Sequence, residues 1–290
     1  MDLSKYSFWK PYILLSPALV VLIGLFLGGV TLALLQSLGY FPFIGLKTIT
    51  LKYYIEVFSS PEFIDALKYS LYISFVSSVG AVVIGVLLAY QLVKLSDKYR
   101  LVQLLYKLPI IVPHIIASLL VFLFFTQSGL LSRLLYHFGI LEQITDFPNL
   151  IFDQWGIGII FVYLWKEIPF IALVVYTVLK HINTSFEEVA ANLGANQRQI
   201  FWNIYFPLSL PSIGSAFIIV FAFSFGAFEI PFLLGPTYPN TLPVMAYQNY
   251  ISSDLTQRPY AMVIVMILTI ISFGLIYFYK KLLDLMLKNI

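Results

Sequence analysis

The stretch EEVAANLGANQRQIFWNIYFPLSLP, residues 187–211, interrupts a chain that is otherwise largely apolar. It is too polar to cross a bilayer, yet too regularly patterned for a slack loop. Ser185 and Glu188 stand at capping-box spacing, S-x-x-E, which marks a helix start. Val189 and Leu193 give that helix an apolar stripe, and Gly194 sits where a left-handed residue would stop it. A second amphipathic helix is predicted next, with Ile200, Phe201, Ile204 and Tyr205 on one side and Arg198 among its polar residues. Pro207 and Pro211 are expected to end it and to launch an apolar span. The predicted result is a stiff helix–turn–helix lying at a membrane surface.

Composition says why a membrane is involved. Of 290 residues, 60% are hydrophobic and only 11% charged, with a mean hydropathy of +0.90. A soluble domain carries about 25% charged residues, so lipid rather than water must face most of this surface. The net charge of +3 is small and not gathered into a patch, which leaves no electrostatic footprint for nucleic acid. With no cysteine, disulfides, thiolate metal sites and cysteine nucleophiles are excluded. His114, His137 and His181 are scattered without metal-ligand spacing, so no metal site is predicted.

Six stretches reach the length of about 20 apolar residues that a spanning helix needs: residues 12–37, 69–93, 104–125, 156–179, 212–234 and 261–279. The first follows Lys5 and Lys10, is too long for a signal-peptide core, and is read as a retained span. Pro109 and Pro113 interrupt the start of the third. Between spans, residues 51–70 and 128–140 have helical periodicity and are expected at the interface, while residues 235–261, rich in Pro, Tyr and Asn, read as an ordered loop. An even number of spans puts both termini on one side. Eleven lysines and arginines, Lys94 and Lys98 among them, fall on that side and five on the other. The positive-inside rule therefore places both termini and the 187–207 segment in the cytoplasm.

The spacing E-x-A-x-x-x-G-x(9)-I-x-x-P, here Glu188, Ala190, Gly194, Ile204 and Pro207, resembles the EAA loop of permease subunits in binding-protein-dependent ABC importers. Val189 and Phe206 depart mildly from the family pattern, which prefers Ala and Leu there. LWKEIPF (164–170) and the start of span two are similar as well, so the resemblance covers most of the chain. It implies an all-α integral membrane protein of the type I ABC importer permease kind: a single domain, residues 1–290, with six transmembrane helices and a cytoplasmic coupling helix within about 180–210. In that family the loop docks in a cleft of the ATPase. The resemblance thus implies coupling roles for Glu187, Glu188, Ala190, Ala191, Gly194, Ala195, Arg198, Ile204 and Pro207. It also implies the partners: two cytoplasmic ATP-binding subunits, a second permease, identical or homologous, and an external solute-binding protein, all at a bacterial or archaeal cytoplasmic membrane. No P-loop G-x-x-x-x-G-K-[ST] is present, so ATP and Mg are expected on the partner ATPase and no cofactor on this chain.

Three further residues are candidates for a translocation path. Glu229, in SFGAFEIPFLLG, reads as an intramembrane carboxylate that either touches a cationic solute or anchors a hydrogen bond beside Pro231. Lys166 and Glu167 lie within span four; about 100° apart on a helix, they need not pair with each other, and each fits either a salt bridge to another helix or a path contact. His114 either lines the path or is a satisfied interior group. FGAFEIPFLLG and LPVMAYQNYI resemble spermidine/putrescine-type permeases, a group similar also to ferric-ion, thiamine and phosphonate importers. An ion-coupled secondary transporter would want inverted repeats and several intramembrane ionisable groups, and an intramembrane enzyme a motif such as H-E-x-x-H or G-x-S-x-G. Neither pattern is visible.

Overall fold

The computed structural model of the chain describes residues 3–95, 100–182 and 184–288. Lys98 and the side chains of Lys5 and Ser185 lie outside the described residues, so the capping box expected at Ser185 is not among them. The chain is helical, with only an isolated bridge between Phe41 and Leu46 among the described residues. Among the described residues, six helices are long and apolar enough to cross a membrane: Lys10–Ser37, Pro61–Lys94, His114–His137, Ile157–His181, Gln197–Gly226 and Leu255–Lys281.

The elements follow in chain order. They are α1 (Leu3–Ser37), α2 (Lys52–Ser59), α3 (Pro61–Lys94), α4 (Arg100–Leu105), α5 (Leu108–Ile111), α6 (His114–Phe125), α7 (Leu130–His137), α8 (Ile157–His181), α9 (Thr184–Asn192), α10 (Gln197–Ile200), α11 (Phe206–Gly226), α12 (Glu229–Leu234), α13 (Leu242–Ile251) and α14 (Arg258–Lys288). Several expected boundaries move; span three, expected over 104–125, starts at His114 after Pro113 and its candidate stretch runs to His137. Residues 61–70, expected to precede span two, are the first turns of α3, because Pro61 suits a first helical position and Ser60 Oγ accepts from Phe63 N at 3.3 Å. The loop expected over 235–261 holds the ten-residue helix α13.

Packing divides the chain into two units, Met1–Phe63 with Met245–Thr269 and Ile64–Val244 with Ile270–Ile290. In the first, the Tyr53 and Tyr260 rings meet edge-to-face at 5.0 Å, and Tyr260 OH donates to Glu56 Oε2 at 2.6 Å. Helix α1 belongs here and buries none of its apolar window. The second unit holds the candidate site and is built around α8. Ser77, Ala81, Gly85 and Ala89 recur every fourth residue on α3, all buried, which lets two backbones approach closely. A Cβ at Gly85 would stand 2.8 Å from Ile171 of α8, so that position has no room for a side chain. One apolar core joins α3, α8 and α11 through Ala81, Ala172, Val175, Ile213 and Ala216. A second joins α3, α6, α8 and α12 through Ile73, Ala117, Ile159, Val162 and Ile230. Asp153 starts α8 by accepting from Trp155 N and Ile157 N, each at 2.9 Å.

Candidate functional site

The polar interruption is a helix–turn–helix closed by backbone bonds. At the end of α9, Ala195 N donates to Ala190 O at 3.0 Å and Gly194 N to Ala191 O at 2.9 Å. These are the paired bonds of a Schellman motif, with Gly194 left-handed at φ +88°. Ala190, Ala191, Gly194 and Ala195 are therefore the residues that make the turn. The next residue opens α10: Asn196 Oδ1 accepts from Gln199 N at 2.9 Å, and Gln199 Oε1 accepts from Asn196 N at 2.8 Å, a reciprocal capping box. No residue is spare between the two motifs, so the turn is stiff.

Beyond α10 the helix does not stop. Residues Phe201–Tyr205 form a π-turn in which Phe206 N donates to Phe201 O, and α11 continues from it. This corrects the expectation that Pro207 and Pro211 end the second helix. The wide turn takes up the bond that Pro207 cannot donate and relieves its ring of the clash with the preceding turn. Gln197–Gly226 is one 30-residue helix.

One face of this segment is fastened to the bundle. Tyr205 OH donates to Glu187 Oε2 at 2.6 Å, tying α9 to the π-turn. Gln197 Oε1 accepts from Lys94 Nζ and lies 3.2 Å from Tyr90 OH, tying α10 to the end of α3. The Tyr90 ring packs 4.8 Å from Phe201. The other face is open. Phe186, Val189 and Leu193 are 56%, 58% and 83% exposed at i, i+3, i+7, one stripe along α9. Glu188, Arg198 and Pro207 are exposed as well, and Arg198 has no ion pair among the described residues.

A second polar cluster sits deep in the same unit. Lys166 Nζ donates to Pro109 O at 2.6 Å, Ile110 O at 3.3 Å and Val112 O. These carbonyls belong to the end of α5 and the Val112–Pro113 break before α6, where a helix leaves its last acceptors unused. The salt bridge considered for Lys166 is thus replaced by contacts to backbone. Its neighbour Glu167 is 4% exposed; Oε1 meets Ser224 Oγ of α11, and Oε2 has no hydrogen-bond partner among the described residues. His114, the first residue of α6, packs its ring 4.7 Å from Phe223. Lys166, Glu167 and His114 share one cavity of about 190 Å³. Glu229 does not line that cavity: span five ends at Gly226, and Glu229 is exposed in the first turn of the separate helix α12. The expectation of a carboxylate inside span five is corrected accordingly. The backbone leaves α11 at Ala227, which is extended, before Pro231 enters α12.

Residues 81–284 match the family described as "Binding-protein-dependent transport system inner membrane component". The chain belongs to that family. It is a permease subunit of an ABC importer, a multi-pass membrane transport component. The "Probable ABC transporter permease protein YurN" of Bacillus subtilis (strain 168) is 29% identical over 91% of this chain and 92% of its own. "Spermidine/putrescine transport system permease protein PotB" of Haemophilus influenzae is 27% identical over 80% of this chain and 79% of its own. "Ferric transport system permease protein FbpB" of Actinobacillus pleuropneumoniae is 26% identical over 84% of this permease, which spans only 34% of that longer protein. The fold matches a bacterial ABC transporter involved in the import of the acidic polysaccharide alginate, with TM-score 0.77 and 21% identity over 97% and 98% of the two chains.

Within the permease, the residues expected at the coupling loop do three different things. Ala190, Ala191, Gly194 and Ala195 build the turn; Glu187 and the half-buried Ile204 face the bundle; Glu188, Arg198 and Pro207 face outward. Of the three path candidates, Lys166 and His114 line one cavity, and Glu229 lies outside its lining but near enough to His114 and Tyr163 to act on them electrostatically. Glu167, weighed beside Lys166 but not counted among the path candidates, lines the same cavity. Its signal was present as a second charge in LWKEIPF, but nothing local says which of two adjacent charges finds partners.

Proposed function

We propose that α9, α10 and the π-turn form the coupling surface by which two cytoplasmic ATP-binding subunits move this permease. The observation that carries the reading is the continuity of the helix Gln197–Gly226 with a turn stiffened by two interlocked motifs. Force applied at α9 passes through Glu187–Tyr205 into a single rod that reaches Ser224 in the interior. The exposed stripe Phe186–Val189–Leu193 is a knob for an apolar cleft, and Glu188 and Arg198 lie beside it for polar contacts.

On this reading the chain is one transmembrane permease domain, residues 1–290, with both termini cytoplasmic. It binds no cofactor; ATP and Mg are used by the ATPase, in keeping with the missing P-loop. It works with a second permease and receives a small solute from an external binding protein in the cytoplasmic membrane. An alginate importer solved with an oligosaccharide-bound periplasmic protein and the MetNI methionine transporter, at TM-scores of 0.76 and 0.57, support this kind of assembly. Likeness to PotB supports a polyamine as the solute, one choice within a group whose relatives also include ferric and sulfate permeases.

Gly194→Asp tests the coupling role. It adds a Cβ at φ +88° and a carboxylate beside the knob. The spans make their own hydrogen bonds and still insert. The expected result is a membrane-inserted permease whose co-purified ATPase and transport both fall by about tenfold or more, a loss of about 1.4 kcal/mol of binding. Wild-type pull-down and transport would refute the assignment.

A further inference from the structure

The rod Gln197–Gly226 has a soft place. In the π-turn Phe201–Tyr205 the regular helical bonds are interrupted, so a stroke delivered at α9 would bend the rod there unless something braces it. Phe201 and Tyr205, at i and i+4, turn one face of that turn inward and are 8% and 4% exposed. Both rings meet one aromatic of α3. The Tyr90 ring stands 4.8 Å from that of Phe201 and 5.6 Å from that of Tyr205.

The same residue also holds α10. Tyr90 OH is 3.2 Å from Gln197 O and 3.2 Å from Gln197 Oε1, two acceptors that share its proton. Lys94 Nζ, one turn further along α3, lies 4.1 Å from the centre of the Tyr90 ring and donates to the same Oε1. Gln197 Nε2 donates in turn to Glu187 Oε1 at 3.5 Å. Tyr90 therefore grips the coupling segment both before the soft turn and within it. Behind Tyr90, α3 has little freedom to yield. Gly85 leaves no room for a Cβ against Ile171, and Ala81 and Ala89 are buried in one core with Ala172 and Val175 of α8. A displacement of α3 at Tyr90 is passed on to α8, because close-packed interiors transmit strain.

We propose that Tyr90 is a positioning residue for coupling, a second contact that braces the π-turn and gives α3 the stroke that α11 receives. The inference rests on the reading of α9, α10 and the π-turn as the coupling surface, and it extends that reading from one driven helix to two. Both routes end on α8: α11 reaches it through Ser224 and Glu167, and α3 through Gly85 and Ile171. The helix that carries Lys166 against the α5–α6 break is thus moved from two sides.

The test is hydrogen exchange on the permease with its ATPase in lipid nanodiscs, without nucleotide and after trapping with ATP, Mg and orthovanadate. In the wild type, trapping is expected to change exchange at least about threefold in residues 86–94 of α3 and in residues 206–216 of α11. Tyr90→Leu is expected to abolish the α3 change and keep the α11 change, with the ATPase still co-purifying. Gln197→Ala, at an exposed position outside the reciprocal capping box, removes the α10 side of the contact without opening the core. It is expected to reduce the α3 change by about half or more, and it decides the matter if Tyr90→Leu does not assemble. A merely structural contact would raise exchange in both states and leave their difference as in the wild type, which overturns the proposal. So does a wild-type α3 that stays unchanged while α11 responds, or a variant that retains its ATPase yet loses both responses together. Failure of the ATPase to co-purify with the wild type, or a wild-type α11 that does not respond, refutes the coupling surface itself, so the two failures are distinct.

Discussion

The α9–α10 turn and the Lys166–Glu167 pair are both polar insertions in an apolar chain, and they are satisfied in opposite ways. In the turn, the bonds that close it join residues no more than five apart, through backbone and the Asn196 and Gln199 side chains. In the interior, two side chains reach across 54 to 57 residues of sequence to serve backbone and hydroxyl groups elsewhere. A surface device can be assembled from local motifs because water completes whatever the motif omits. A device at membrane depth has no such solvent, so long side chains must carry donors to every broken helix end. The turn is therefore modular, whereas the pair is inseparable from the packing of α5, α6, α8 and α11.

That contrast is sharpest at Lys166. Lys166→Met keeps the apolar stem and removes three donors from the α5–α6 break, so stability is expected to fall by about 3 kcal/mol. Thermal unfolding of the permease in nanodiscs reads this as a clear drop in midpoint. An unchanged midpoint would mean that the break is held by something else and that the interior cluster is no more integral than the turn.

Gly194→Ala is the matching change at the surface. Its Cβ meets open space, so only the positive φ opposes it, and the expected cost is about 1–2 kcal/mol confined to the turn. Hydrogen exchange should rise at Ala195 and Gln199 with little change in the spans, and Gly194→Asn should recover most of the loss. Global destabilisation by Gly194→Ala would erase the distinction between the two regions.

The smallest effect on stability is expected at Leu193, which is 83% exposed. Leu193→Ser should shift stability by less than about 0.5 kcal/mol yet weaken ATPase retention, because the residue belongs to the open stripe. Equal losses in both measurements would place Leu193 in the fold rather than in the coupling surface.

What could be read in advance divides along the same line. Six spans, the helix–turn–helix and the left-handed Gly194 were legible because each is written in contiguous residues: apolar length, a stop glycine, a regular stripe. The inward role of Glu187 was not, since Tyr205 lies 18 residues away and Tyr-to-Glu contacts have no periodic signal. The π-turn was hidden because a proline inside an amphipathic pattern reads as a break, and only the widened turn upstream shows how the helix absorbs it. Span five was drawn too far, through Ala227 to Leu234, because hydropathy does not register an extended residue between two apolar helices. The stripe Ser77–Ala81–Gly85–Ala89 was not drawn from the sequence, because small residues at fourfold spacing become a packing statement only with Ile171 opposite.

Helix α1 has a consequence of a different sort. Its Lys10–Ser37 stretch is 28 residues, about 42 Å at 1.5 Å per residue, against a hydrocarbon layer of about 30 Å. No residue of its apolar window is buried within the chain, and the helix is fastened at its Ser37 end, where Ser37 Oγ meets Tyr54 OH at 2.9 Å. A stretch longer than the hydrocarbon layer is accommodated by tilting, kinking or local thickening, so a thicker membrane eases the mismatch and a thinner one increases it. The lipid chosen for reconstitution is in this sense a structural ligand of α1.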